Sequence, residues 1–304
     1  MATASGSPST GVLPGQTPTV HEQGPTGGEV AGRALRLSIF YLVLLAIIAV
    51  FLTPYLFTFN ASFKPLSAIL ADRAWTPATS ASLGNYRDLF GTYDFSTYLL
   101  NTLLVTVIVT VGQVAFSLMG AYAFARLHFP GREALFWVYL AMLMVPNVVT
   151  MIPLYVIMDY GGMLNTYWAL FLPYALGTPY AVFLMRQYFL TIPQDLIDAA
   201  RIDGCSERRI LWNILVPLAR PIIMTASIIA FVFSWNNFLW PLIATNSNQL
   251  QVLTVGLANF KSSFGTEWNL ILAGSIVTLI PLVILFVIFQ KQIVNSISLT
   301  GVNR

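Results

Sequence analysis

The chain of 304 residues contains six apolar runs, each long enough to cross the hydrocarbon core of a bilayer. At a rise of about 1.5 Å per residue, a helix of about 20 residues spans the roughly 30 Å of that core. The runs cover residues 35–59, 98–124, 135–158, 167–185, 221–243 and 270–289. Charged residues make up 9% of the chain, against about a quarter in soluble domains. The sequence therefore predicts an all-α integral membrane protein with six transmembrane helices.

Polar ends flank this apolar part. Residues 1–34 are rich in Gly, Ser, Thr and Pro and have no apolar periodicity, which predicts a disordered, cytoplasmic N-terminal tail. Residues 35–290 are predicted to form the transmembrane domain, and residues 291–304 a short cytoplasmic C-terminal tail. The only cysteine, Cys205, excludes an internal disulfide and any cysteine-rich metal site.

The lysines and arginines are distributed unequally over the predicted loops. If the N-terminus is cytoplasmic, eleven of them face the cytoplasm and four face the outside. The outer four are Lys64, Arg73, Arg87 and Lys261. Because cytoplasmic loops carry an excess of Lys and Arg, both termini and residues 191–217 are predicted to be cytoplasmic, in a multi-pass protein of the cell membrane. The net charge of +3 is small and requires no nucleic-acid partner.

Residues 191–217 form a polar segment between two predicted spans. Thr191 and Gln194 have the spacing of a capping box, in which each side chain bonds a free backbone N–H of the other residue. Pro193 suits the first turn of a helix, because its missing N–H is not needed there. A helix is therefore predicted to begin at this point, outside the apolar runs.

The predicted helix has one small, smooth face and a sharp end. Four residues recur on this face at spacings of one, three or four: Leu196, Ala199, Ala200 and Asp203. Gly204 suits the left-handed position that ends a helix, and Ser206 can cap a second helix that leads back to the membrane. The segment is thus predicted to be a helix, a turn and a second helix.

The spacing within this segment resembles the EAA loop of binding-protein-dependent ATP-binding-cassette (ABC) importers. That loop has the consensus Glu-Ala-Ala, three residues, Gly, nine residues, Ile-x-Leu-Pro. The corresponding residues here are Asp198-Ala199-Ala200, Gly204 and Ile214-Leu215-Val216-Pro217, with Asp198 in place of Glu and Val216 in place of Leu. Further stretches resemble the maltose-type, carbohydrate-importing branch: residues 121–126, 129–132, 202–204, 235–240 and 289–290. The resemblance covers the chain from about Leu35 onward.

This resemblance implies a type I ABC importer permease. In that family, the loop forms a coupling helix that sits in a cleft of an ATP-binding-cassette subunit, and two permease subunits form one translocation path. By resemblance, the coupling residues are Asp198, Ala199, Ala200, Asp203 and Gly204. The partners implied are a second permease subunit, ATP-binding-cassette subunits, an extracytoplasmic sugar-binding protein and a carbohydrate substrate. The C-terminal tail resembles the part of the maltose-type subunit that reaches the ATPase interface.

Other classes fit the sequence less well. The chain has no GxxxxGK[ST] phosphate loop, so it is predicted to carry no cofactor, with ATP bound by partner subunits. An ion-driven secondary transporter usually has an ionisable side chain at membrane depth, and the six apolar cores contain none. An intramembrane hydrolase needs a base, but His21 and His128 lie outside the runs. A non-enzymatic conduit is predicted, with an ion-driven transporter or a channel subunit as the alternative.

A sugar path requires hydrogen-bonding groups and aromatic faces rather than charges. The candidates in the apolar runs are Gln113, Ser117, Asn147, Thr150, Ser234, Trp235, Asn236 and Asn237. The adjacent amides Asn236 and Asn237, flanked by Trp235 and Trp240, suit the outer mouth of a cavity, although aromatic-belt anchoring explains these tryptophans equally well. Polar side chains also join membrane helices, by about 0.6–2 kcal/mol each, so every candidate has a structural alternative.

Overall fold

The computed structural model describes residues 27–73, 75–77, 82–262 and 265–299. The helices are α1 (Gly27–Ala61), α2 (Leu66–Ala68), α3 (Gly84–Gly91), α4 (Phe95–Arg126), α5 (Arg132–Ala141), α6 (Asn147–Tyr160), α7 (Tyr167–Ala175), α8 (Pro179–Thr191), α9 (Gln194–Ile202), α10 (Glu207–Arg209), α11 (Val216–Leu218), α12 (Arg220–Trp235), α13 (Leu239–Ala244), α14 (Leu253–Asn259) and α15 (Trp268–Leu299). Short π-helical or 3-10 segments cover Ile69–Arg73, Met142–Met144, Ile210–Leu215 and Asn248–Leu250. A small hairpin pairs β1 (Lys261–Ser262) with β2 (Gly265–Thr266). The predicted all-α class is confirmed for this part of the chain.

The chain divides into two compact units, Met1–Tyr55 and Leu56–Arg304. The described part of the first unit belongs to α1. Residues 1–26 of the predicted N-terminal tail lie outside the described residues, and residues 27–34 are already helical. At the other end, α15 continues to Leu299, so the predicted C-terminal tail is helical as far as it is described.

The predicted spans are present, but two of them are bent. Four stretches are long and apolar enough to cross a membrane: Leu35–Ala61, Phe95–Arg126, Tyr167–Thr191 and Trp268–Lys291. Two helix pairs meet the same criteria together: Arg132–Met144 with Asn147–Tyr160, bent by 102°, and Glu207–Leu218 with Arg220–Trp235, bent by 84°. The described residues therefore provide four spans, or six if each bent pair is one span.

The interruptions occur where the sequence restricts the backbone. Val145 has an extended conformation, φ −83° and ψ 119°, because the ring of Pro146 disfavours the helical region for the residue before it. The predicted run 221–243 is not one helix either, since α12 ends at Trp235 and α13 begins at Leu239. Apolar length alone could not predict these breaks, because it does not report backbone conformation.

Helix α4 is the central helix of the second unit and contacts α7, α8, α12 and α14. Its approach to α7 depends on Gly112, where an added Cβ would lie 2.7 Å from the backbone oxygen of Ala175. Small residues allow membrane helices to pack this closely. One core cluster joins α4, α8, α9, α12 and the π-helical segment Ile210–Leu215. The polar segment 191–217 is therefore packed on the main helices rather than projecting from them.

Candidate functional site

The polar segment begins with α9, but not through the predicted capping box. The residue before α9 is Pro193, and no side chain caps the helix. Thr191 is the last residue of α8, and its hydroxyl donates to the carbonyl oxygen of Tyr188. The capping-box prediction is wrong because the preceding helix continues through Thr191 and uses its hydroxyl there. Gln194, the other residue of the predicted box, bonds the side chains of Arg126 and Asp198 instead.

The turn after α9 has the predicted left-handed glycine. Gly204 has φ +77°, and its N–H donates to the carbonyl of Arg201 at 3.0 Å. The N–H of Cys205 donates to the carbonyl of Ala200 at 2.9 Å, so the last carbonyls of α9 are satisfied as in a Schellman end. A Cβ added at Gly204 would meet nothing within 4 Å. The backbone angle, and not lack of space, therefore favours glycine at this position.

The second helical stretch begins at Ser206, as predicted. The Ser206 Oγ accepts the N–H of Arg209 at 3.4 Å. The stretch continues through Ile210–Leu215 and α11, and it is bent by 84° from α12. The turn at Gly204 thus lies between α9, which follows the candidate span Tyr167–Thr191, and the bent pair of helices that forms the next candidate span.

The two faces of α9 have different surroundings. Ile197 and Ala200 are buried, with 0% and 7% of their surface exposed, and they belong to the core cluster with α4 and α8. Leu196, Ala199 and Ile202 are exposed, Ile202 to 86%. The face predicted to contain both alanines is therefore divided, because residues 199 and 200 point about 100° apart on a helix. An exposed apolar patch beside charged residues is typical of an interaction surface.

The start of α9 is held by Arg126, the last residue of α4. Arg126 Nη1 donates to Gln194 Oε1 at 2.5 Å. The other end of the same amide, Gln194 Nε2, donates to Asp198 Oδ1 at 3.0 Å. The acidic residue of the EAA-like motif is therefore linked through one glutamine to the end of a transmembrane helix.

The end of α9 is held by a second set of contacts. Arg201 donates through Nε and Nη2 to the two carboxylate oxygens of Glu207, at 3.0 and 3.4 Å, and through Nη1 to Asp198 Oδ1 at 3.4 Å. The hydroxyl of Tyr122 on α4 donates to the same Glu207 carboxylate. The hydrogen bond to Glu207 raises the pKa of the Arg201 guanidinium above its usual value. We call the whole set the polar clasp: Tyr122, Arg126, Gln194, Asp198, Arg201 and Glu207.

Arg126 and Arg186, which the sequence analysis used only to predict orientation, have side-chain partners in the structure. Arg126 is 6% exposed and also donates to two carbonyl oxygens at the end of α8. Arg186 pairs with Glu133 at 3.0 Å, and its guanidinium lies 4.1 Å from the centre of the Phe136 ring. These side chains join the cytoplasm-predicted ends of α4, α5 and α8. The signal available in the sequence was an arginine at the very end of an apolar run.

Two residues predicted to line the sugar path, Gln113 and Asn147, are associated with breaks in the spans. Gln113 is buried on α4, and its Nε2 donates to Thr178 Oγ1 at 2.9 Å. Thr178 is the N-cap of α8, so this bond fixes the break between α7 and α8. Asn147 is exposed and begins α6 directly after Pro146. At such breaks, some backbone groups make no hydrogen bond within a helix. Polar side chains or a ligand can bond these groups instead.

Asn236 and Asn237 lie at the break between α12 and α13. The Asn236 amide is exposed and donates to the carbonyl of Val232 at 2.8 Å. The backbone carbonyl of Asn237 accepts the hydroxyl of Thr254 at 2.7 Å. The side chain of Asn236 is thus at the surface of the described chain, while the backbone of Asn237 ties this break to α14.

The neighbouring tryptophans are not placed as predicted. Trp235 is fully buried, stacks on Phe231 with ring centres 5.6 Å apart, and donates its indole N–H to the carbonyl of Thr278 at 3.2 Å. Trp240 is also fully buried, and its N–H donates to the carbonyl of Ala169 at 2.7 Å. A buried indole needs such a partner. Trp235 therefore packs helices together and does not line an opening, and neither ring forms an exposed belt.

Comparisons with known proteins agree with this fold. Residues 113–299 match the family described as binding-protein-dependent transport system inner membrane component. The arabinooligosaccharides transport system permease protein AraQ of Halalkalibacterium halodurans is 38% identical over 262 residues, covering 85% of this chain and 92% of AraQ. The trehalose transport system permease protein SugB of Mycobacterium tuberculosis is 36% identical over 250 residues, covering 81% of this chain and 90% of SugB. A chain in the crystal structure of a bacterial ABC transporter involved in alginate import has a TM-score of 0.74 and 25% identity, covering 84% of this chain and 95% of that chain.

Proposed function

Because the chain belongs to the family of binding-protein-dependent transport system inner membrane components, we propose that it is a permease subunit of an ATP-driven carbohydrate importer. It forms half of a translocation path with a second permease subunit and is not itself an enzyme. ATP-binding-cassette subunits bind and hydrolyse ATP, and an extracytoplasmic binding protein delivers the sugar. Both termini and the polar segment 191–217 are cytoplasmic, where the ATPase subunits act.

The observation that carries this proposal is the helix and turn formed by α9 and Gly204. Its outward face presents Leu196, Ala199 and Ile202 to a partner. Its inward face is packed into the cluster that contains α4, α8 and α12. A short helix with one face free and the other packed against the spans can pass a displacement between the ATPase subunits and the translocation path. Asp198, Ala199, Ala200, Asp203 and Gly204 keep the coupling role proposed for them, with Ala200 acting from the packed side.

The carbohydrate class is supported by the relatives and by the polar residues of the spans. AraQ and SugB are named for arabinooligosaccharides and trehalose, and the similar solved structure belongs to an importer of alginate. Gln113, Asn147, Asn236 and Asn237 supply amides to the path, and the middles of the apolar runs contain no Asp, Glu, Lys, Arg or His. Neutral donors and acceptors suit hydroxyl groups of a sugar, because each hydroxyl both donates and accepts.

The energy source gives the direct test of this function. In proteoliposomes that contain the complete complex, sugar uptake should require ATP and the binding protein, and it should persist when an ionophore collapses the proton gradient. The matched control is a complex whose ATPase subunits carry a substitution of the phosphate-loop lysine, which should show no uptake. Gradient-driven uptake by this chain alone would instead favour a secondary transporter.

The orientation is tested by labelling single cysteines. In a Cys205→Ser background, Ser206→Cys should react with a membrane-impermeant maleimide only after the cells are permeabilised, and Asn248→Cys should react in intact spheroplasts. Both positions are exposed in the structure, so access depends on the side of the membrane. Expressing the chain without ATPase subunits prevents shielding of position 206. Reversed labelling of the two positions would refute the cytoplasmic placement of α9.

A further inference from the structure

We propose that the polar clasp is a two-point attachment that keeps α9 in register with α4, with Tyr122, Arg126 and Glu207 as positioning residues for energy coupling. This inference rests on the proposed function, because it concerns how a displacement of α9 reaches the translocation spans. It assigns to Tyr122 and Glu207, which lie outside the five coupling residues, a role in coupling ATP hydrolysis to transport.

The first support is geometric. Tyr122 and Arg126 are four residues apart on α4, so they share one face of its last turns, about 6 Å apart along the axis. Arg126 binds Gln194 at the start of α9, and Tyr122 binds Glu207 beyond its end. One attachment point would leave α9 free to pivot about it. Two points on a single helix fix both the position and the direction of α9 relative to α4.

The second support is the environment of these groups. Tyr122 and Arg126 are 5% and 6% exposed, while Asp198 and Glu207 are exposed and Arg201 is half-buried. The clasp therefore extends from the packed interior to the surface on which α9 presents its free face. A buried guanidinium is costly unless its donors are bonded. Here the two terminal nitrogens of Arg126 bond Gln194 and the end of α8, and only its Nε lacks a hydrogen-bond partner among the described residues. Arg126 thus joins three helices at one point.

The third support concerns the carboxylates. Asp198 Oδ1 accepts from both Gln194 and Arg201, so the acid of the EAA-like motif completes the clasp within α9. Glu207 receives two donors from Arg201 and one from Tyr122. Charge-assisted hydrogen bonds of this type are about twice as strong as neutral ones and depend on orientation. The clasp can therefore hold α9 rigidly against α4 while the outer face of α9 stays free.

The test uses two substitutions that preserve shape. Tyr122→Phe removes only the hydroxyl donor, and Glu207→Gln removes the charge that orients Arg201. Tyr139→Phe is the matched control, because Tyr139 packs against the same core cluster. Its hydroxyl makes no hydrogen bond with any residue in the described part of the chain. In the assembled complex, both clasp variants should keep the basal ATP hydrolysis of the ATPase subunits, but the stimulation of that hydrolysis by the binding protein and the sugar transported per ATP should both fall about tenfold, the factor expected for one charge-assisted bond.

The single cysteine offers a second measurement that does not depend on activity. Cys205 is half-buried at the turn and packs against the core cluster. Its maleimide labelling in the full-length permease should become several-fold faster in Tyr122→Phe and Glu207→Gln and should not change in Tyr139→Phe. The double variant should be no more affected than either single variant, because both changes break one connected network.

The outcomes separate this inference from the proposed function. Wild-type complex without ATP-dependent uptake would overturn both. Normal wild-type uptake, with unchanged transport per ATP and unchanged Cys205 labelling in the two clasp variants, would overturn the clasp alone. A loss of complex assembly, or equal effects in Tyr139→Phe, would show that these residues only stabilise the fold and would also overturn it.

Discussion

Gly204→Val should abolish sugar transport by the assembled complex, whereas Gly204→Asn should retain a substantial part of it. Gly204 has φ +77° with open space around its Cα, so the two variants differ in backbone strain rather than in contact with neighbours. A β-branched residue in the left-handed region costs about 1–3 kcal/mol. Asparagine tolerates that region far better and is also found at helix ends. The valine therefore displaces the turn, and with it α9.

The measurement compares transport, ATPase co-purification and the amount of inserted permease at matched expression. Gly91→Val is the control, because Gly91 has no positive φ and an added Cβ there also meets nothing within 4 Å. It should insert and transport as the wild type does. Equal transport in the valine and asparagine variants of Gly204 would show that the left-handed turn has no part in coupling.

Local backbone chemistry explains which features of the polar segment could be predicted. Gly204 acts through the backbone of the residues just before it, and Ser206 through the backbone of the residues just after it. Such local effects depend little on the rest of the fold. The capping box at Thr191 was an equally local prediction, but it was wrong. Its spacing is compatible with two helices, and the packing of α8 against α4 extends the first of them through Thr191.

Side-chain surroundings were harder to predict, because they depend on contacts between distant parts of the chain. Trp235 was a candidate for an exposed ring, but α15 provides a carbonyl partner for its N–H, 43 residues away, and covers it. Arg126 was counted as a charge on one side of the membrane, yet its partners lie 63 to 68 residues further along. Composition and periodicity report the number of spans, but they do not report which polar groups meet.

The two alanines of the EAA-like motif lie on opposite sides of the boundary between the exposed and the packed face of α9, and this leads to the second prediction. Ala199→Trp should prevent co-purification of the ATPase subunits and abolish transport, because it places an indole on the exposed face of α9 where a partner has to approach. Ala200→Trp should have the same functional result for a different reason. Ala200 is 7% exposed within the core cluster, and overpacking such a site costs about 1–3 kcal/mol or more, so the whole turn should shift.

Labelling of Cys205 distinguishes the two mechanisms in the full-length permease without its partners. Ala199→Trp should leave the labelling rate at the wild-type value, since its side chain points away from the packed face, and Ala200→Trp should raise it several-fold. Ala134→Trp, on an exposed position of α5, is the control for a bulky surface residue and should assemble normally. If Ala199→Trp assembled and transported like this control, the outward face of α9 could not be the surface that meets the ATPase subunits, and the coupling role would have to lie elsewhere in the chain.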